Sequence, residues 1–216
     1  MSDDETPTPS IATTEQERVL AFWFGDPRPE LSVAARRWFQ KDPAFDAEIR
    51  DRFLPLMERA QRGELDDWMT GEHAAKGALA LVILLDQMSR NVYRGTPASF
   101  AHDGRALAAC LGGIGSGADH ELSFSERYMF YMPLMHAEDR ELQRRAVREF
   151  DALAREAEQA GVSEGLVKTL VSAREYAERH QAIVERFGRF PHRNEILGRT
   201  STPEELAFLA EPGSSF

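Results

Sequence analysis

The chain has 216 residues, 42% of them hydrophobic, which bounds it to one domain or two small ones with a sizeable core. Its net charge of −10 argues against non-specific binding to nucleic acid or to an anionic membrane, both of which need a positive field. A single cysteine, Cys110, excludes an intrachain disulfide and any cysteine-based zinc site; it sits in an apolar helical pattern and reads as a buried thiol.

In chain order, Met1 to Ala12 is acidic and Pro-rich, without the basic and apolar regions of a signal peptide, and reads as a disordered tail. Thr14 with Glu17 forms a capping box that opens a first helix, with Val19, Leu20, Trp23 and Phe24 as its stripe and Gly25 as its stop. A short helix after Ser32 carries Trp38 and Phe39. Asp42-Pro43 starts the next, where Phe45, Ile49, Phe53, Leu56 and Ala60 recur every three or four residues; Pro55 should kink it and Gly63 end it. A turn surrounds Trp68. A helix from about Glu72 to Asn91 is apolar on all sides between Ala78 and Leu85, which predicts a central, buried element. That run is also the longest apolar one, and it is too short to span a bilayer.

Thr96-Pro97 is predicted to cap another helix bearing Phe100, Asp103 and Leu107 on one face. Leu111 to Ala118 is Gly-rich and reads as a loop, without the Lys-Ser/Thr or preceding strand of a phosphate loop. Ser123 with Glu126 opens a helix that Pro133 interrupts, and a long charged helix continues to Ala160. Ser163 opens the most regular one, from Leu166 through His180 and Val184 to Phe187, closed by Gly188. After a loop, Thr202-Pro203-Glu204-Glu205 caps a terminal helix. No period-two strand pattern appears. The expectation is an all-α fold of about eight or nine helices in antiparallel pairs, residues 13–216 forming one domain behind the 1–12 tail, in a soluble cytoplasmic protein.

Polar residues interrupt this pattern in a few places. Leu85-Asp86-Gln87-Met88-Ser89-Arg90-Asn91-Val92-Tyr93-Arg94 switches within one turn from apolar to charged, so its polar groups must find partners or face a cavity. Asp86, Arg90 and Arg94 share a helical face at spacings of four. With Asn91 they read either as an anion site of guanidinium forks or as a buried ion-pair network. Arg189, His192, Arg193 and Asn194 lie on a Pro-stiffened loop. They offer a second half to that anion site, with His192 as donor or general acid, or they cap the preceding helix. His136 follows Pro133 and shares a helical face with Asp139, while Glu138 points elsewhere. His136, His192, Asp86 and Asp139 are therefore the candidates for acid–base catalysis. A metal site would have to recruit Asp86, Asp103, His180 or His192 from separate helices, and no zinc-protease spacing is present. The sequence names no cofactor.

The blocks Phe22-Trp23-Phe24-Gly25, Trp38-Phe39, Leu85-Asp86-Gln87 with Arg90-Asn91 and Arg94, Pro133-Leu134-Met135-His136 with Glu138-Asp139, and Phe187-Gly188-Arg189 with Pro191-His192-Arg193-Asn194 occur in this order. Together they resemble the bacterial family called domain of unknown function 924, over nearly the whole chain from about Glu15. Met88-Ser89 departs from the Phe-Pro expected after the Asp-Gln pair. The resemblance implies a tetratricopeptide-like, all-helical single domain and no established activity. Function must then be argued from the residues. A small anionic ligand, carboxylate or phosphate, comes first. A hydrolase or lyase using the same pocket, with or without a metal, is the alternative, and a protein-interaction scaffold by analogy of fold is the third reading.

Overall fold

The computed structural model describes residues 14–25 and 30–214. Among these there is no strand, and nine helices account for most of the chain. The expected tail at 1–12 lies outside the described residues.

Helix α1 (Glu15–Phe24) begins at the Thr14–Glu17 capping box and ends at Gly25, whose φ of 85° suits a residue without Cβ. Helix α2 (Leu31–Phe39) stacks Trp38 on Trp23 of α1 with ring centroids 5.8 Å apart, and the Trp38 Nε1–H donates to the Trp23 carbonyl at 2.8 Å. Helix α3 (Pro43–Gln61) starts where Asp42 accepts from the amides of Ala44 and Phe45, and it carries Pro55 within its span. A 3-10 turn, Asp66–Met69, holds Trp68.

Helix α4 is the centre of the fold. It runs as Ala74–Val82, passes through a π-helical turn at Ile83–Gln87, and continues as Met88–Val92. The sequence pattern predicts this helix but not the π turn, in which the Met88 amide reaches back five residues to the Ile83 carbonyl. Every residue from Gly77 to Ser89 is buried, under cover from α1, α3, α5 and α6. Gly77 lies against the Trp68 carbonyl, where a Cβ would stand 1.9 Å from the oxygen, so only glycine fits.

Two expectations fail beyond α4. Thr96-Pro97 opens only a 3-10 turn, Pro97–Ser99, and the helix proper, α5 (Asp103–Ser116), starts later. The Gly-rich stretch from Leu111 is the last part of α5 rather than a loop. Gly113 gives Phe130 room to pack against the helix backbone, since a Cβ there would fall 2.5 Å from the ring; tertiary packing outweighs the low helix propensity of glycine. The chain leaves α5 at Gly117, with φ 78°.

Helix α6 starts at the Ser123–Glu126 capping box and is broken at Tyr131 into Phe124–Phe130 and Met132–His136, just before Pro133. The long charged helix is a separate element, α7 (Arg140–Gln159), because Ala137–Asp139 leaves the helical path and the Asp139 carboxylate caps the Leu142 amide at 2.9 Å. It packs along α8 (Glu164–Phe187), to which a four-residue connection joins it. A 3-10 turn, Pro191–Arg193, and α9 (Pro203–Leu209) complete the chain.

One continuous apolar core joins α1 to α8. A second, smaller cluster of Ile183, Val184 and Phe190, with Phe187 and Phe208 against it, lies under the C-terminal segment. Among the described residues no helix is long and apolar enough to cross a membrane.

Candidate functional site

The polar end of α4 meets the last residue of α6 in the interior. Asp86 is wholly buried, and its carboxylate faces His136, with Nδ1 2.7 Å from Oδ1 and 3.0 Å from Oδ2. Gln87 Nε2 donates to Asp86 Oδ2, and an Arg90 terminal nitrogen donates to Oδ1 at 2.9 Å. The π turn belongs to this arrangement: it lies in a buried stretch and carries both Asp86 and Gln87. Because an ionised carboxylate only accepts, the His136 proton resides on Nδ1, and Nε2 carries the lone pair.

Arg90 continues the network. The same terminal nitrogen reaches both oxygens of Asp103, at 3.1 and 3.0 Å, and the guanidinium sits 5.2 Å over the Phe100 ring. Asp103 in turn lies 3.5 Å from Arg193, which comes from the 3-10 turn after α8. The two Arg-rich stretches of the sequence therefore meet, through Asp103. Arg193 is 6% exposed, and its guanidinium lies over the Phe100 and Phe190 rings, 4.8 and 4.5 Å from their centroids. Its Nε–H has no hydrogen-bond partner among the described residues.

A cleft of about 390 Å³ opens onto this cluster. Asp103, His136, Glu138, Asp139 and Arg193 form its polar side; Phe100, Leu107, Pro133, Leu142 and Leu197 are among its apolar walls. Its volume and composition fall within the range of small-molecule sites.

The remaining candidate residues are placed elsewhere or are engaged. Arg94 and Asn91 both bond Asp46 of α3, at 2.9 and 2.7 Å, beside a separate cleft. Arg189 forms a fork with Glu205 at 2.6 and 2.8 Å and bonds the Thr200 carbonyl. Asn194 donates to Ser201 at 3.0 Å, so Arg189 and Asn194 fasten the C-terminal segment to itself. Asp139 caps α7. His192 lies 5.6 Å from the Phe190 ring, and His180, 6.4 Å from His136, binds the Tyr176 carbonyl through Nδ1.

Glu138, set aside on helical geometry, is instead the latch of the C-terminal segment. It accepts from Arg199 at 2.6 and 2.9 Å and from the Phe190 amide at 2.8 Å. Nothing in the spacing of the sequence singles out Arg199, because the pairing crosses 61 residues. Among the described residues no three His, Cys, Asp or Glu side chains are arranged to hold a metal ion, so Asp86, Asp103, His136, His180 and His192 do not assemble the donor set considered from sequence.

Electrostatics follow from burial. Desolvation alone would raise the Asp86 carboxyl, but the Arg90 charge and the hydrogen bonds from His136 and Arg90 outweigh it and hold it below the usual carboxylate range. Burial and the Arg90 charge pull His136 below its ordinary value despite Asp86, so the ring is neutral at pH 7. Burial raises Asp103 against the pull of Arg90. It lowers Arg193, with help from Arg90, to about 10, still a cation at neutral pH. Burial also takes His180 down to about 3 and, together with Arg193, His192 to about 4.

These features define an all-helical protein with an oriented, neutral histidine and a buried arginine at one small cleft. The chain belongs to DUF924, a family of bacterial proteins of unknown function, whose model matches residues 19–213. It is similar to the solved structure of a protein of unknown function from Agrobacterium tumefaciens. That relative is 38% identical, with a TM-score of 0.70 over 90% of this chain and 96% of the other. No curated protein matches the chain.

Proposed function

We propose that the cleft is a small-molecule site in which Arg193 holds an anionic group and His136, oriented by Asp86, exchanges a proton with the bound molecule. The observation that carries this reading is the Asp86–His136 pair. A wholly buried carboxylate fixes the tautomer of a histidine that lines a cleft, which leaves Nε2 as a base at neutral pH. Arg193 adds a cation whose ion pair with Asp103 is long and whose buried Nε–H has no partner among the described residues. The pair supports acid–base chemistry more directly than simple retention of an anion. A tetratricopeptide-like role in protein binding rests on analogy of fold alone.

A panel of small organic acids and phosphates, titrated into protein with 15N-labelled histidine, tests this reading. A binding compound should shift the His136 Nε2 resonance, and the shift should vanish in Arg193→Met. Compounds that bind without moving His136, or that bind Arg193→Met equally well, would overturn it.

A further inference from the structure

We infer that the group held at Arg193 is a single carboxylate carried on an apolar body, so that the cleft takes small apolar monocarboxylic acids; this rests on the reading of the cleft just given.

The geometry of Arg193 sets the shape of the anion. The Phe100 and Phe190 rings lie 4.8 and 4.5 Å from the guanidinium carbon, so aromatic surface takes up part of its surroundings and Arg193 is 6% exposed. A guanidinium edge offers parallel N–H groups in one plane, which match the two oxygens of a carboxylate. The Nε–H has no partner among the described residues but is itself buried, so a ligand would meet the terminal nitrogens, of which Nη1 is already 3.5 Å from Asp103.

The surrounding charges set the number of negative charges tolerated. Asp103, Glu138 and Asp139 line the cleft, and Asp86 lies behind His136. Against these four carboxylates stand three guanidiniums, those of Arg90, Arg193 and Arg199. Arg90 is shared between Asp86 and Asp103, and Arg199 is spent on Glu138. Arg193 is the guanidinium that lines the cleft, and its ion pair with Asp103 is long at 3.5 Å. One added negative charge meets one under-used cation; a phosphate dianion would bring a second charge into a site already short of cations.

The walls set the rest of the molecule. Phe100, Leu107, Pro133, Leu142 and Leu197 present no hydrogen-bonding side chain, so a polar body would lose its water without compensation there, whereas an alkyl or aryl body gains by burial.

The test is calorimetric titration of the full chain at pH 7 with four probes: hexanoate, hexanamide, hexyl phosphate and inorganic phosphate. Hexanoate should saturate one site and bind at least about tenfold more tightly than each of the others. Filling the wall with Leu107→Phe should weaken hexanoate, and Arg193→Met should remove its advantage over hexanamide. The ranking on the native protein decides the matter even if a variant fails to fold. Hexyl phosphate binding as tightly as hexanoate would overturn the carboxylate assignment while leaving an anion site at Arg193. Hexanamide binding equally well, or no probe binding at all, would overturn both that assignment and the anion-holding role of Arg193.

Discussion

Asp86 and His136 stand fifty residues apart in the chain and meet in the interior, with Nδ1 2.7 Å from one carboxylate oxygen and 3.0 Å from the other. The contact joins the central helix to the end of α6, and the same carboxylate anchors Arg90. Asp86→Asn removes the charge that holds both partners. It leaves Arg90 facing Asp103 alone and frees the His136 ring to adopt its other tautomer. The substitution should cost about 3 kcal/mol in urea denaturation, in the range for breaking a buried ion pair. A cost below about 1 kcal/mol would mean that the network tolerates its loss.

Arg94 and Arg193, both candidates from sequence for one anion site, should behave differently. Arg94 is partly exposed and paired with Asp46, so Arg94→Ala should change stability by about 1 kcal/mol or less and leave ligand binding at the cleft intact. Arg193→Met should abolish that binding. Thermal shifts of the two variants, with and without a bound anion, separate the roles.

A buried histidine, His180, and a half-buried one, His192, predict acid sensitivity above the range where carboxylates titrate. The folded state lowers His180 to about 3 and His192 to about 4, from an ordinary value near 6.5. Below pH 6.5 the unfolded chain binds protons that the folded chain refuses. Stability is therefore complete above about pH 6.5 and falls as pH drops toward 4, with a slope of about 1.4 kcal/mol per pH unit for each imidazole at full linkage. Urea denaturation at pH 7, 6 and 5 measures it, and His180→Gln should remove its share of the slope. A flat profile between pH 7 and 5 would contradict the desolvation of these rings.

The glycines of α5 give opposite predictions two turns from the cleft. Gly113→Ala would place a Cβ 2.5 Å from the Phe130 ring and should destabilise by about 1–3 kcal/mol. Gly112→Ala meets nothing within 4 Å and should stabilise by about 0.5–1 kcal/mol through helix propensity. Thermal unfolding of the two variants checks both signs.

The same glycines show where the sequence was legible. Helix starts were plain because capping is local: Thr14–Glu17, Ser123–Glu126 and Thr202–Glu205 each declare themselves over four residues, and all three boxes are present. The buried character of α4 followed from a run without polar residues. The glycines after Leu111 misled, because low helix propensity reads as a loop, while the packing of Phe130 against Gly113 is a tertiary contact that local pattern does not show. The π turn at Ile83–Gln87 left no periodic mark either.

At the site, spacing correctly joined Asp86 to Arg90, an i, i+4 pair. It gave no means of knowing that Arg94, one turn further, faces α3. Asp103 could be assigned to a helical face, but its role as the bridge between Arg90 and Arg193 depends on three elements packing together. Glu138 was misplaced because the chain leaves the helix at Ala137, so an assumption of helical direction failed there.

The most direct test of the account is the protonation state of His136, read from long-range 1H–15N correlations of the imidazole at pH 7. The account predicts a neutral ring with the proton on Nδ1, an unprotonated Nε2, and a midpoint below the ordinary histidine value as pH is lowered. A ring protonated on both nitrogens at pH 7, or a neutral ring with its proton on Nε2, would contradict it. In either case His136 could not serve as the base that the cleft presents.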